Sequence, residues 1–352
     1  MHKPLHRPHT LAALAAALVA LTPLSATAQG KELNLYSARH YQTDEALYAD
    51  FTKATGIKIN RIDTDDAGVV TRLKAEGAGS PADVVLLVDA SRLSRAESEG
   101  LFQPVKSTQL QSRIPAHLRG ADDGSGSQWF GFSTRARVIV YNKAAVQRAD
   151  VDTYEELADA KNKGKLCTRS GSHPYNLSLF GAVLQHDGAA ATEVWLQGLV
   201  NNMARAPKGG DTDQIKAVAS GECGIAVVNT YYLARLMRSS KPEDKEVVEK
   251  VALVFPNQQS WGTHVNISGG AMAKHAKHRT EAVAFLEYLA SDSAQQYFAN
   301  GNNEWPAVSS VKIAGNPALE SMGDFKIDDA PIAASAKAQA QIQQMLDRVG
   351  YK

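Results

Sequence analysis

Along this chain the apolar positions switch repeatedly between strand-like and helix-like spacing, which predicts alternating strands and helices from Lys31 onward. ELNLYSA (32–38) reads as a strand, DEALYADFTKATG (44–56) as a helix closed by Gly56, and IKINRID (57–63) as a second strand. AGVVTRLKAEGAG then predicts a helix, and ADVVLLVD a strand buried on both faces, because its apolar run is almost continuous. SRLSRAESEG predicts a helix that ends at Gly100. Such alternation is the sequence form of βαβ units, so one α/β lobe with a mainly parallel sheet is expected.

QWFGFSTRARVIVYN (128–142) is apolar, β-branched and longer than one strand requires, and is expected to cross from one lobe to another. A second α/β series follows. GKLCTRS is a strand, NLSLFGAVLQHDG, TEVWLQGLVNN and TDQIKAVASG are helices, and CGIAVVN is a strand. After VALVFP, THVNISGGAMA (263–273) reads as a return crossing, and from EAVAFLEYLASDSAQQYFANG the chain is helical. Two crossing strands make a hinge, and closure about a hinge is one route to ligand capture. The 352 residues suit two domains.

The first 28 residues read as an export signal: Lys3 and Arg7 precede the apolar run LAALAAALVALTPL, which ends at Ala26-Thr27-Ala28. That run is shorter than the roughly 20 residues a membrane helix needs. No cysteine lies near the cleavage point to accept a lipid, so a soluble, monomeric protein of a Gram-negative periplasm is expected. The chain holds 38 basic and 37 acidic residues; removing the signal takes two of the basic ones and leaves a net charge near minus one. Nucleic acid and anionic membrane are thereby disfavoured as partners, since both select dense basic surface. KHAKHR (274–279) is read as a solvated helix start. In an oxidising compartment Cys167 and Cys223 are expected to pair, as a staple within one lobe.

Candidate chemistry comes from tyrosines that follow predicted strands: His40-Tyr41 after the first, Tyr175 in LCTRSGSHPYN, and Tyr231-Tyr232 in IAVVNTYY. Ligands of open α/β sheets settle at the carboxyl ends of strands, so these residues could converge on one cleft. Phenol titrates near pH 10, and several phenolates together repel unless a cation compensates. A hard trivalent ion suits oxygen donors, whereas copper(I) selects thiolates. Packing is the competing reading for any of the 11 tyrosines. His117, His186, His264, His275 and His278 read as surface or capping residues, and no HExxH or CxxC spacing points to zinc.

The segments LYSARHYQTDEAL, PADVVLLVDASRL, WFGFSTRARVIVYN, LCTRSGSHPYNLSL and GECGIAVVNTYYLARL together resemble the ferric-iron-binding periplasmic proteins of ABC importers, the bacterial transferrin-like family, in its tyrosine-rich branch. The resemblance runs in order over the mature chain. It implies a two-lobed type II periplasmic binding fold, with 29–132 plus 264–312 as one lobe and 137–262 plus 313–352 as the other. It further implies that Tyr175, Tyr231 and Tyr232 ligate Fe(III) from the second lobe and that His40 and Tyr41 add to them from the first, although some relatives bind with the tyrosines and a synergistic anion such as carbonate alone. His40 leaves Fe(II) open as well. Permease and ATPase subunits of an importer are the implied partners, and no enzymatic activity is implied.

Another branch places an acidic ligand shortly after the PADV strand, where this chain has Asp89. Asp89 directly precedes a helical segment and is read as its cap. Arg169 and Arg135 resemble the family's cationic residues near iron, holding an anion or offsetting phenolate charge; each reads equally well as an interlobe ion pair. Two rivals remain. One is a protein of the same fold for thiamine, a polyamine, a phosphonate or a sugar. The other is a periplasmic hydrolase using Ser172 and His173, which lacks GxSxG.

Overall fold

Strand and helix alternate as the hydrophobic pattern predicts, and the two halves join through the crossing and returning strands it predicts. The computed structural model describes residues 1–2, 31–39 and 43–352. The export signal and the His40-Tyr41 pair therefore lie outside the described residues. The first series is β1 (Glu32–Ser37), α1 (Asp44–Thr55), β2 (Lys58–Asp63), α2 (Asp66–Glu76), β3 (Val84–Val88), α3 (Ala90–Ser98), β4 (Phe102–Gln103) and α4 (Thr108–Arg113). Then come β5 (Phe130–Asn142), β6 (Leu166–Cys167), α5 (Pro174–Asn202), α6 (Asp211–Ser220), β7 (Ile225–Asn229), α7 (Thr230–Met237), α8 (Pro242–Lys250) and β8 (Val251–Val254). The chain returns through β9 (Val265–Ala273) and finishes with α9 (Arg279–Leu289), α10 (Asp292–Asn302), β10 (Trp305–Pro306), α11 (Pro317–Met322), α12 (Ile332–Lys337) and α13 (Gln339–Val349).

The strands run in the order β2-β1-β3-β9-β5-β7-β6. Every residue of β3 is buried, as its unbroken VVLLV demands, and each such side chain is worth roughly 1.5–3 kcal/mol relative to exposure. The mainly parallel sheet expected from the alternation needs correction. Only β1–β2, β1–β3 and β6–β7 are parallel; β9 lies antiparallel to β3 and β5, and β5 antiparallel to β7 and β8. The reason is topological: a strand that leaves one lobe and a strand that returns must run in opposite directions.

β5 is 13 residues long and does cross. Its first half, to Ala136, pairs with β9, and its second half, from Arg137, pairs with β7 and β8. β9 can pass closely between β3 and β5 because Gly269 and Gly270 have no side chain there: a Cβ on Gly269 would stand 2.6 Å from Leu93 and 2.7 Å from the Phe130 carbonyl. This two-lobed α/β arrangement is the fold class the sequence predicts.

The two helices predicted over 176–202 form one element, α5, broken where Gly188 takes φ +79°. α13 packs on α5, and Ile342, Met345, Leu346 and Tyr351 join Trp195, Leu196 and Leu199 in one apolar core. Cys167 and Cys223 are joined by a disulfide, with Cα atoms 5.8 Å apart, tying β6 to the residues that lead into β7. Among the described residues no helix is long and apolar enough to cross a membrane.

Candidate metal centre

Two helix starts bring three phenols together. Pro174 opens α5 with its fixed φ, which puts Tyr175 in the first turn; His173 caps the helix by accepting the Tyr175 amide at Nδ1 (3.2 Å). β7 runs directly into α7, so Tyr231 and Tyr232 also occupy a first turn. Tyr231 is buried, its ring lies 4.2 Å from that of Tyr232, and its hydroxyl is 3.1 Å from that of Tyr175. The convergence that the sequence predicts for Tyr175, Tyr231 and Tyr232 is therefore present. All three residues belong to first turns, where the positive end of the helix dipole favours negative charge nearby.

Guanidinium groups surround the cluster. Arg169, Arg135 and Arg137 lie 5.0, 5.8 and 5.9 Å from the Tyr175 ring centroid, and Arg235 lies 5.6 Å from that of Tyr232. Asp211, fully buried at the start of α6, organises two of them: it accepts Arg137 Nη1 at 2.5 Å, Arg169 Nη1 at 3.1 Å and the Asn229 amide at 2.7 Å. Arg137 also donates to Asn176 Oδ1 (2.7 Å), while Asn176 Nδ2 donates to Thr168 and to the carbonyls of Arg169 and Ser170. These bonds fix the loop before Tyr175 to the strand face beneath it. Arg169 is thus paired with Asp211 and not with the first-lobe wall.

Arg135 is buried and donates from Nη1 to Ser268 Oγ of β9 (3.2 Å); its Nε and Nη2 have no hydrogen-bond partner among the described residues. Burial works against its charge, but the carboxylates of Glu304 and Asp89 and the phenols of Tyr175 and Tyr231 outweigh it and hold its pKa above the ordinary value. Burial pushes the Tyr175 phenol above its usual pKa near 10, with Arg135 pulling the other way. His173 is pushed down to about 3 by burial and by Arg169 and Arg137, so its ring is neutral and its Nδ1 lone pair is available for the cap.

Asp89 is the cap that the sequence predicts. Its backbone stands at φ +90°, and its carboxylate accepts the Ser91 amide (2.9 Å) and hydroxyl (2.7 Å) and the Asn266 amide group (2.8 Å). Of the histidines, His264 departs from the expected surface or capping role, while His186 lies at the surface as expected. His264 is buried at the start of the returning strand, and His186 stacks on Trp261 at 4.4 Å while bonding Asp328 (3.0 Å). Among the described residues no three His, Cys, Asp or Glu side chains are placed to hold a metal ion. Arg137, Asp211 and Arg235 are additions to the site that sequence reading did not single out. A signal existed for two of them: Arg137 follows Arg135 by two on a strand and shares its face, and Arg235 follows Tyr231 by four on a helix.

Residues 46–321 match the family described as bacterial extracellular solute-binding protein. Iron uptake protein A1 of Synechocystis is 46% identical over 92% of this chain and 88% of its own length. A Trichodesmium protein (IdiA, FutA) solved with iron and citrate is 50% identical, covers 91% of this chain and 100% of its own, and superposes with a TM-score of 0.87. The ferric binding protein of Campylobacter jejuni is 38% identical over 91% of this chain and 100% of its own, with a TM-score of 0.82.

Proposed function

The chain belongs to the bacterial extracellular solute-binding proteins, and from that premise we propose that it captures ferric iron between its lobes in the periplasm and delivers it to an ABC importer of the inner membrane. The observation that carries this reading is the meeting of the Tyr175 and Tyr231 hydroxyls at 3.1 Å, with the Tyr232 ring 4.2 Å from that of Tyr231. Two phenolates so close repel strongly unless a cation lies against both. The fixed charges nearby leave an excess of positive charge that favours phenolate: Arg137 and Arg169 share Asp211, Arg135 faces Glu304 and Asp89, and Arg235 lies against the Tyr231 and Tyr232 rings. Three phenolates supply hard oxygen donors with the charge to suit a trivalent ion. The iron and ferric names of relatives at 38–50% identity support the same ligand class.

Tyr175, Tyr231 and Tyr232 bind the ion first, and His40 and Tyr41 join when the lobes close. The lobes are 29–132 plus 264–312 and 137–262 plus 313–352, and residues 1–28 are removed on export. Arg135, whose Nε and Nη2 have no hydrogen-bond partner among the described residues, and Arg169 hold a synergistic anion such as carbonate. The chain acts as a binding protein and not as a hydrolase; His173 is held neutral and spends its lone pair on the α5 cap.

The test is a visible spectrum with ferric nitrilotriacetate. A broad charge-transfer band is expected that weakens in Tyr231→Phe and in Tyr232→Phe. Because each ligating phenol must lose its proton, and burial raises the pKa of Tyr175, iron binding should release protons and weaken as pH falls. A colourless protein that takes up no iron would transfer the reading to a small organic solute.

A further inference from the structure

Beside Tyr232 a cavity of about 660 Å³ opens between α6, α7 and the start of α8 on one side and the end of α10 on the other. We propose that this cavity receives the iron as an anionic, oxygen-donor chelate and not as a bare ion. The proposal rests on the ferric-iron reading and adds the chemical form in which the metal arrives.

The cavity wall carries four cations: Lys216 on α6, Arg235 and Arg238 on α7, and Lys241 just before α8. Two acids, Glu243 and Asp244, also line it, and Asp244 lies 3.8 Å from Lys216 Nζ, so the lining keeps a net excess of two positive charges. Arg238 spans the space, donating from Nη1 to the Asn300 carbonyl and to Asn303 Oδ1, each at 2.7 Å. Arg235 lies against both phenol rings, 6.0 Å from Tyr231 and 5.6 Å from Tyr232, and has no acidic partner among the described residues. Arg235 thus lines the cavity together with Tyr232 and brings an uncompensated charge to the phenols.

Size and sign both select the larger, negative form. A water molecule takes up about 30 Å³ of liquid, so an ion with six waters would fill only a small part of the space, whereas small-molecule sites commonly run to roughly 300–1,000 Å³. A bare trivalent cation would approach a wall with a net excess of two like charges. An anionic chelate is drawn in, and clefts lined with one sign of charge raise association rates by about 10–10³-fold at low salt. The negative oxygens that do not hold the metal can sit on Arg235 and Arg238 while Tyr232, on the cavity wall, takes the first metal bond. Its phenol proton leaves to solvent as one chelator oxygen is displaced.

Rapid-mixing kinetics test this, with iron uptake followed by quenching of intrinsic fluorescence. Iron is supplied as ferric citrate or ferric pyrophosphate, both anionic, or as neutral ferric tris(acetohydroxamate). The variant is Lys216→Gln/Lys241→Gln, which touches neither a phenol nor the disulfide; Lys216→Arg/Lys241→Arg restores the charge. Loading from the anionic sources should slow about 5–10-fold in the Gln variant at low salt, with the difference shrinking as salt screens it, and should recover in the Arg variant. Loading from the neutral source should stay within about twofold, since no charge steers it. Slowing from citrate alone or from pyrophosphate alone supports the proposal and identifies carboxylate or phosphate as the chemistry. Equal slowing from all three sources, or none from any, overturns it. Failure of the unmodified protein to load from any source would overturn the ferric-iron reading itself, and this proposal with it.

Discussion

At both the β3–α3 and the β7–α7 junctions a five-residue strand with every side chain buried runs straight into a helix, yet the polar groups at the two turns are put to opposite uses. At β3–α3 the Asp89 carboxylate folds back on its own helix and is saturated by Ser91 and Asn266. At β7–α7 the residue before the helix makes no side-chain cap; Asp211 takes the Asn229 amide instead, and the first turn presents Tyr231 and Tyr232. Reach explains the difference. A carboxylate one carbon from the backbone finds the nearest amides, whereas a phenol oxygen at the far end of a rigid ring cannot bond its own helix start and meets another element, here Tyr175.

The largest effect on this contrast is expected from Asp211→Ala. It leaves the Arg137 guanidinium buried without its carboxylate, and denaturant unfolding should show a loss of about 3–5 kcal/mol together with a weaker iron band. An unchanged band would mean that the phenols hold their places without the buried pair. Next comes Cys167→Ser/Cys223→Ser. The disulfide closes a loop across a separation of 56 residues, and its removal should cost up to about 4 kcal/mol. Hydrogen exchange should quicken at β6 and β7 and leave β3 alone; equal quickening at β3 would show that the junctions share one unfolding unit.

Asp89→Ala should cost about 1–2 kcal/mol, the usual range for a lost cap. Iron affinity should fall less than about tenfold, the low end of what orienting groups cost a metal site. A larger fall, measured by competition with a chelator of known strength, would make Asp89 a ligand and dissolve the contrast.

The smallest effect lies just before β3, where Asp83 accepts the His278 ring nitrogen at 2.9 Å. That hydrogen bond raises the His278 pKa, while amides of His278 and Asn34 hold buried Asp83 low despite the cost of burial. The histidine's share of stability is complete below its unfolded pKa near 6.5 and is lost as pH rises through the raised value. The aspartate's share is complete above its unfolded pKa near 3.9 and is lost as pH falls through the depressed one. Stability measured at pH 6 and pH 9 should therefore separate His278→Gln from the unmodified chain more at pH 6, by less than about 1 kcal/mol. A gap that widens toward pH 9 would contradict the pairing.

Much of this was legible before folding. The length of β5 marked a crossing, the glycine of HDG marked the break in α5, and each of Tyr175, Tyr231 and Tyr232 follows a strand signal. Asp89 could be read as a cap because it sits one residue before a helical pattern. Asp211 could not be placed, since it lies 74 residues from Arg137 and 42 from Arg169, and nothing in its own neighbourhood names those partners. His264 looked like a surface residue because burial at the returning strand comes from elements far away in the chain.

By itself, then, the sequence determined the elements and the chemical kind of the site. Periodicity and turn residues act over a few positions, and a phenol's chemistry belongs to the residue that bears it. The antiparallel return of β9, the sharing of Asp211 by two arginines and the basic cavity beside Tyr232 were decided only by tertiary structure. Each depends on which distant side chains are brought within a few ångströms, and burial then sets what a charge there costs and which partner it must find.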